Sequence, residues 1–199
     1  MPGKRDETGR CELILASASP RRRELLSRVG DPFRVIVPDA DESFDPGEPP
    51  ERVAETLAQR KAASVAAGLS KGIVIAADTV VAVGGEILGK PRDRDDAIAI
   101  LSRLSGTRHA VITGVCVMDA ASRRSVLDHE RTWVTMRRMS PEEIRAYVAS
   151  GEADGKAGAY AIQETGDRYV ERLEGDFDNV VGLPVRLVER LLRRLREGV

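Results

Sequence analysis

The sequence contains few of the residues on which several common classes of protein depend. Only 4% of its 199 residues are aromatic, and only two are histidines. So few aromatic side chains argue against a groove that stacks single-stranded nucleic acid. A formal net charge of −1 provides no overall field that would attract nucleic acid or a membrane surface. We therefore expect neither partner, and any strongly positive site must be local.

Cysteine chemistry is also poorly represented. The two cysteines, Cys11 and Cys116, form no CxxC pair, and Cys116 lies in an apolar run where a reduced core thiol is expected. The signatures of phosphate loops, dinucleotide folds, zinc sites and serine hydrolases are missing as well. His109 and His129 are isolated in the sequence, and we interpret both as structural or exposed.

Long hydrophobic runs are absent. No apolar stretch reaches the roughly 18 residues that a membrane span requires, and the polar first residues lack a signal-peptide core. We therefore expect a cytoplasmic protein that does not enter a membrane. Residues 1–12 are predicted to form a flexible tail, and residues 13–199 a single domain.

Helix and strand patterns alternate along the rest of the chain. The apolar runs at residues 13–16 and 73–77 predict buried strands, and the Gly84-Gly85 pair predicts a hairpin. Further strands are expected over residues 158–163 and 168–173. Because hairpins join antiparallel strands, the pattern indicates an α/β fold with a mixed sheet.

Three arginines, residues 21–23, occupy the first turn of a predicted helix, with Ser19 as its N-cap. The helix dipole makes each cation there unfavourable by about 0.3–1 kcal/mol. One or two of them can join the free backbone N–H groups and the hydroxyls of Ser17 and Ser19 in a phosphate pocket. The alternative is a solvated basic turn offset by Glu24.

Two further charged residues lie where apolar ones are expected. Lys61 falls near the middle of the apolar arc of a helix predicted over residues 51–69. It must extend along its stem into solvent or enter a polar cleft with an anionic partner. Asp78 interrupts the apolar run 73–81, which favours a functional carboxylate over a strand-end turn. An acidic loop containing Glu42 adds oxygen ligands of the kind that Mg²⁺ prefers, although a solvated loop is the alternative.

Seven motifs occur in one order along the chain: LASASPRR, PDADE, the helix that carries Lys61, AADTVV, EILGKP, GKAGAYAIQ and NVVGLP. Together they resemble the Maf family over residues 13–195. Its members are described as septum-formation inhibitors and as nucleoside triphosphate pyrophosphatases that use Mg²⁺ or Mn²⁺. The resemblance implies an elongated α/β unit with two lobes around a cleft, similar to inosine triphosphate pyrophosphatases, and a homodimer.

The resemblance also implies roles for individual residues. Asp78 would be the catalytic acid/base residue, and Glu42 and Asp78 would bind the metal. Arg21, Thr79 and Gln163 would determine specificity. The full set of residues expected to bind substrate is Ser17, Arg21, Arg22, Lys61, Thr79, Lys90 and Gln163.

The motifs also indicate a branch of the family. SPRR, ADT and AGAYAIQ are similar to the branch that acts on dTTP and UTP. The branch that acts on 7-methyl-GTP typically has tryptophan after SP, glutamine after the strand aspartate, and AGSF. We therefore expect hydrolysis of dTTP and UTP to monophosphate and pyrophosphate, which keeps non-standard nucleotides out of nucleic acid. The alternatives are a pyrophosphatase for 7-methyl-GTP or another modified nucleotide, and a non-enzymatic nucleotide-binding regulator of septum formation.

Overall fold

A mixed β-sheet forms the centre of the protein. The computed structural model describes residues 11–163 and 165–198. In this part of the chain the sheet has seven strands: β1 (Leu13–Ala16), β2 (Phe33–Ile36), β3 (Ile73–Val83), β4 (Glu86–Leu88), β5 (Arg108–Asp119), β6 (Ser125–Met136) and β7 (Val170–Glu174). Their order is β2-β1-β3-β5-β6-β7, and β4 pairs with β3. β1 runs parallel to β2 and β3, whereas the other pairs are antiparallel.

Helices cover both faces of this sheet. Over the same residues they are α1 (Pro20–Ser27), α2 (Pro50–Ala67), α3 (Arg94–Leu104), α4 (Pro141–Ala149), α5 (Phe177–Val181) and α6 (Val185–Glu197). The predicted N-cap acts as expected, because the Ser19 hydroxyl accepts the backbone N–H of Arg22. At the start of α4, Ser140 forms a capping box with Glu143. The predicted α/β class, with a mixed sheet flanked by helices, is confirmed.

The two faces of β3 pack against different helices. Val74 and Ala76 cluster with the small side chains of α2, whereas Ile75 and Ala77 cluster with the leucines of α6. Successive side chains of a strand point to opposite faces, so this alternation continues into the residues that follow. At Gly114 of β5 the α2 backbone lies so close that a Cβ would sit 2.3 Å from the carbonyl of Ala54.

The structure corrects two predictions near the C-terminal end. Residues 158–163 do not form a strand, because Ala157–Ala159 is a 3₁₀ turn in which Gly158 and Ala159 have positive φ values of 70° and 57°. Left-handed backbone of this kind is incompatible with an extended strand. The strand predicted at 168–173 begins only at Val170, after a second 3₁₀ turn.

The predicted N-terminal tail falls mostly outside the described residues, which begin at Cys11. Glu12, near the start of the described residues, is attached to the sheet, because its carbonyl accepts the backbone N–H of Ile73 at 2.9 Å. Among the described helices, none combines the length and the apolar character that crossing a membrane requires.

Candidate active site

The strand order leaves an opening beside the middle of β3. β1 pairs with β3 as far as Ala76, and β4 pairs with it only from Val81 onward. Within the described chain, residues 77–80 therefore have no strand neighbour on that side. A cleft of about 470 Å³ opens at this point, at the carboxyl end of β1. Ligands of open α/β sheets commonly bind in such a position.

The N-terminus of α1 forms one wall of the cleft. Ser17 is buried there, and its hydroxyl accepts the backbone N–H of Ser19 at 3.1 Å. Arg21 and Arg22 line the cleft, whereas Arg23 lines a neighbouring groove along α1 and β2. Two of the three arginines thus line the cleft at the N-terminus of the helix, which is an arrangement suited to binding phosphate.

Arg22 is held at this wall by two hydrogen bonds. Its Nε donates to the carbonyl of Gly182 at 2.8 Å, and its Nη2 donates to Thr79 Oγ1 at 3.1 Å. Burial is the largest influence on the guanidinium and lowers its pKa from the ordinary value. Arg22 is therefore a cation fixed by the protein rather than a mobile surface side chain.

The opposite wall contains a buried ionic group. Lys61 is 8% exposed, and its Nζ contacts Asp78 Oδ1 and lies 2.7 Å from Glu42 Oε1. Lys90 donates to the other oxygen of Glu42 at 3.0 Å. The hydrogen bond from Lys61 is the main reason that the pKa of Glu42 falls to about 2. Lys61 therefore enters a polar cleft, and Asp78 occupies the interior of an 11-residue strand rather than a turn.

The charges of the cleft favour an anionic ligand. Five basic residues line it together with three acidic ones, and these are Arg21, Arg22, Lys61, Lys90, Lys156, Glu42, Asp78 and Asp154. Lys156 was not among the residues predicted from the sequence, although it stands in the GKAGAYAIQ motif. Its Nζ donates to the carbonyl of Glu152 at 2.6 Å.

Gln163 is placed differently from the other predicted residues. Its side chain is exposed, and it does not line the cleft in this structure, although Ile162 just before it does. The following residue, 164, lies outside the described part of the chain. The role assigned to Gln163 stays a prediction.

A second group of side chains that could hold a metal ion lies elsewhere. Glu55 of α2 and Asp128 and His129 of β6 bring one ligand atom each within 4.8 Å of the others. His129 Nδ1 lies 2.8 Å from Glu55 Oε1. Glu55 Oε2 lies 3.3 Å from the guanidinium of Arg52. Asp128 Oδ2 lies 3.6 Å from Arg190 and 3.9 Å from Arg194, both in α6. None of the three ligand residues lines the cleft.

The fold and the cleft define an α/β protein that opens its sheet to an anionic ligand at the N-terminus of a helix. The Maf-like protein family matches residues 12–195 of the chain. The chain therefore belongs to the Maf-like protein family.

Relatives of similar length are close in sequence. The dTTP/UTP pyrophosphatase of Salinibacter ruber is 52% identical over 92% of this chain and 90% of its own length. The dTTP/UTP pyrophosphatase of Pelotomaculum thermopropionicum is 48% identical over 94% of this chain and 98% of its own length. Among solved structures, a nucleoside-triphosphatase (dITP/XTP pyrophosphatase) of Mycobacterium abscessus aligns with a TM-score of 0.42. That alignment has 18% identity and covers 64% of this chain and 75% of that one.

Proposed function

We propose that this protein hydrolyses dTTP and UTP to the corresponding monophosphate and pyrophosphate. The observation that carries the proposal is the likeness to relatives named dTTP/UTP pyrophosphatase, at 48–52% identity over at least nine-tenths of the chain. The cleft supports it, since its excess of cations beside a helix N-terminus is suited to a triphosphate.

In this proposal the triphosphate binds along the α1 wall. The backbone N–H of Arg21 and the hydroxyl of Ser17 donate to phosphate oxygens. Arg21 and Arg22 add guanidinium groups, which match phosphate oxygens in pairs. Lys61 and Lys90 approach from the opposite wall, and their charges stabilise the negative charge that develops on the departing pyrophosphate.

Asp78 acts as the general base. A water oxygen forms a bond to phosphorus while the bridging P–O bond between the α and β phosphates breaks. The water proton moves to the carboxylate of Asp78, and the bonding electrons leave with pyrophosphate. Asp78 suits this role because it is fixed in a strand and shielded at 8% exposure, yet its carboxylate lines the cleft.

The residues present fit a divalent cation. The carboxylates of Glu42 and Asp78 converge on one positive charge, the ammonium of Lys61, so this part of the cleft already favours a cation. Carboxylate oxygens are the ligands that Mg²⁺ and Mn²⁺ prefer. We propose that these two residues hold the metal, which when bound polarises phosphoryl oxygens and lowers the pKa of water.

Three features of the proposal rest on the family. The pyrimidine base is selected by Arg21, Thr79 and Gln163. The protein acts in the cytoplasm, where nucleoside triphosphates are made. Two copies of the chain associate as a dimer. Light scattering coupled to size-exclusion chromatography checks the dimer, and a mass corresponding to one chain would contradict it.

The primary test is release of pyrophosphate with Mg²⁺ or Mn²⁺ from a panel of dTTP, UTP, CTP, dATP, GTP and 7-methyl-GTP. We expect turnover of dTTP and UTP, and a loss of about 10³-fold in Asp78→Asn, as is typical when a general base is removed. Asp128→Asn is the matched control, because it removes a carboxylate from the second group of metal-ligating residues and should leave turnover unchanged.

Each other outcome has a defined meaning. Turnover of 7-methyl-GTP alone would preserve the cleft chemistry and overturn the specificity. Loss of activity in Asp128→Asn with full activity in Asp78→Asn would move the reaction away from the cleft. Binding of dTTP without turnover of any nucleotide would favour a regulator.

A further inference from the structure

A chain of hydrogen bonds connects the cleft to the protein core behind it. Arg22 Nη2 donates to Thr79 Oγ1, and Thr79 Oγ1 lies 2.9 Å from Thr113 Oγ1. Thr113 in turn donates to the carbonyl of Asn179 at 3.0 Å. Thr113 is fully buried, so its hydroxyl has no access to water.

The direction of every bond in this chain is fixed. A guanidinium can only donate and a carbonyl can only accept, whereas each threonine hydroxyl has a single proton. Since Thr113 gives its proton to Asn179, Thr79 must give its own proton to Thr113. The hydroxyl of Thr79 therefore faces Arg22 and the cleft with lone pairs only.

The far end of the chain is held rigidly. Asn179 is fully buried, and its side-chain amide donates to the carbonyl of Val111 and to Thr132 Oγ1, both at 3.0 Å. These bonds join α5 to the neighbouring strands β5 and β6. The carbonyl that receives the proton of Thr113 is consequently fixed relative to the sheet.

We propose that Thr113 is a positioning residue for nucleotide binding. By accepting the proton of Thr79, Thr113 leaves the Thr79 oxygen as an acceptor on its cleft side. One lone pair of that oxygen accepts from the guanidinium of Arg22 and holds it at the cleft wall. The other lone pair is left for an N–H group of the ligand. The N3–H of thymine or uracil is a donor of this kind. The inference rests on the proposed function and adds to it a residue that lies behind the site.

The sheet separates this chain from the reacting group. Thr79 follows Asp78 directly in β3, so its side chain points to the α6 face, whereas Asp78 points to the α2 face and meets Lys61. Loss of the Thr113 hydroxyl should therefore weaken binding without disturbing the general base. This separation distinguishes positioning of the ligand from a general structural role.

The experiment compares Thr113→Val, which keeps the shape and removes the hydroxyl, with the unaltered protein. We expect the KM for dTTP to rise about tenfold, in line with a weakened hydrogen bond to a charged group, and kcat to change by less than about twofold. Thr113→Ser retains the hydroxyl and should restore most of the binding. Unchanged KM in Thr113→Val would overturn the proposal.

Thr132→Val is the matched control. Thr132 is also a fully buried strand threonine, and its hydroxyl donates to the carbonyl of Asp176 at 2.9 Å. It bonds the side chain of Asn179, whereas the chain that leads to Arg22 passes through the backbone carbonyl of Asn179, and the bond from Asn179 to Val111 remains when the Thr132 hydroxyl is removed. We expect a comparable loss of thermal stability with little change in KM. Equal KM changes in the two valine variants would assign Thr113 a structural role only.

A double-mutant cycle tests the route through Thr79. In a Thr79→Val protein the lone pairs of that hydroxyl are already gone, so adding Thr113→Val should raise KM no further. Independent, multiplicative effects of the two substitutions would contradict the route.

Titration calorimetry of dTTP with the same variants in an Asp78→Asn background repeats the comparison without turnover. Turnover of dTTP with no effect of Thr113→Val would reject only this inference, whereas absence of both turnover and dTTP binding would reject the proposed function with it.

Discussion

At the scale of single residues, the buried ammonium of Lys61 determines the ionic balance of the cleft. It contacts Asp78 and Glu42 together, and Asp78 is almost as well shielded as the lysine itself. Removing one partner of a buried ion pair leaves the other charge uncompensated, which is strongly unfavourable. The lysine therefore contributes to stability as well as to charge.

We predict that Lys61→Met lowers the free energy of unfolding by about 3 kcal/mol, because Asp78 loses its partner. Lys90→Met, which removes an exposed lysine, should cost less than about 1 kcal/mol. Urea denaturation provides the measurement. Adding Asp78→Asn to Lys61→Met should recover part of the loss, and equal losses in the two lysine variants would contradict the prediction.

His109 predicts a pH dependence of stability. It is fully buried, its Nε2 lies 2.8 Å from the hydroxyl of Tyr160, and burial lowers its pKa to about 4. Between about pH 6.5 and 4 the unfolded chain binds a proton that the folded chain does not, so stability falls as pH falls through this window. His109→Gln should make stability less dependent on pH there, as denaturation midpoints would show. An unchanged slope in His109→Gln would contradict this assignment.

At the scale of elements, the close contact of α2 with β5 depends on Gly114. Any Cβ at this position meets the α2 backbone, which cannot turn aside as a flexible side chain could. The same helix holds Lys61 over Asp78, so the separation of helix and sheet determines the geometry of the cleft.

We therefore predict that Gly114→Val displaces α2 and lowers the free energy of unfolding by about 1–3 kcal/mol, as overpacking usually does. Turnover should fall with it, because Lys61 moves with the helix. Gly68→Val at the end of α2 is the control, since the nearest atom to its Cβ is 3.8 Å away. A thermal melt and an activity assay on both variants suffice, and equal stability of the two would count against the prediction.

Sequence patterns predicted the elements that have strong local signals. The cap at Ser19 and the glycine hairpin located their elements, because each acts over a few residues. α5 was not predicted, since five residues are too few to show a helical period. The prediction of a strand over residues 158–163 was wrong, because Ala159 has a positive φ value within a 3₁₀ turn. Alanine rarely adopts such a φ value, so the residue type gave no indication of it.

The candidate site was predictable in part for the same reason. Lys61 and Asp78 were recognisable because each breaks the apolar pattern of its own element. Their contact with each other depends on how α2 lies across β3, which no local pattern contains. Thr113 breaks no pattern, since threonine is common in strands, and the role that we propose for it rests on the hydrogen bonds around it.

At the scale of the whole molecule, the cleft is lined by residues of three core groups. One group joins α6 to the first half of β3, a second joins α2 to the other face of that half, and a third joins α3 and α4 to the second half. Val181 belongs to the first, Ala16 to the second and Val81 to the third, and all three residues line the cleft. A ligand in the cleft should therefore hold the three groups together.

We predict that dTTP raises the thermal midpoint of the Asp78→Asn protein, which binds without turnover. At a concentration one hundred times Kd the stabilisation should be about 2.7 kcal/mol. Differential scanning fluorimetry measures the shift. Thymidine, which lacks the phosphates, should give a much smaller shift, and equal shifts from the two ligands would argue that the cations of the cleft do not bind phosphate.

The adjacency of Asp78 and Thr79 has a consequence for how the protein can change over generations. Because neighbouring strand residues face opposite sides, a single point substitution alters either the carboxylate that we propose as the general base or the hydroxyl that we propose contacts the pyrimidine, while the other stays in place. Substrate preference can therefore drift without passing through an inactive ancestor. Insertion or deletion of one codon in β3 before Asp78 is different, since it exchanges the two faces for every strand residue that follows and alters both properties at once.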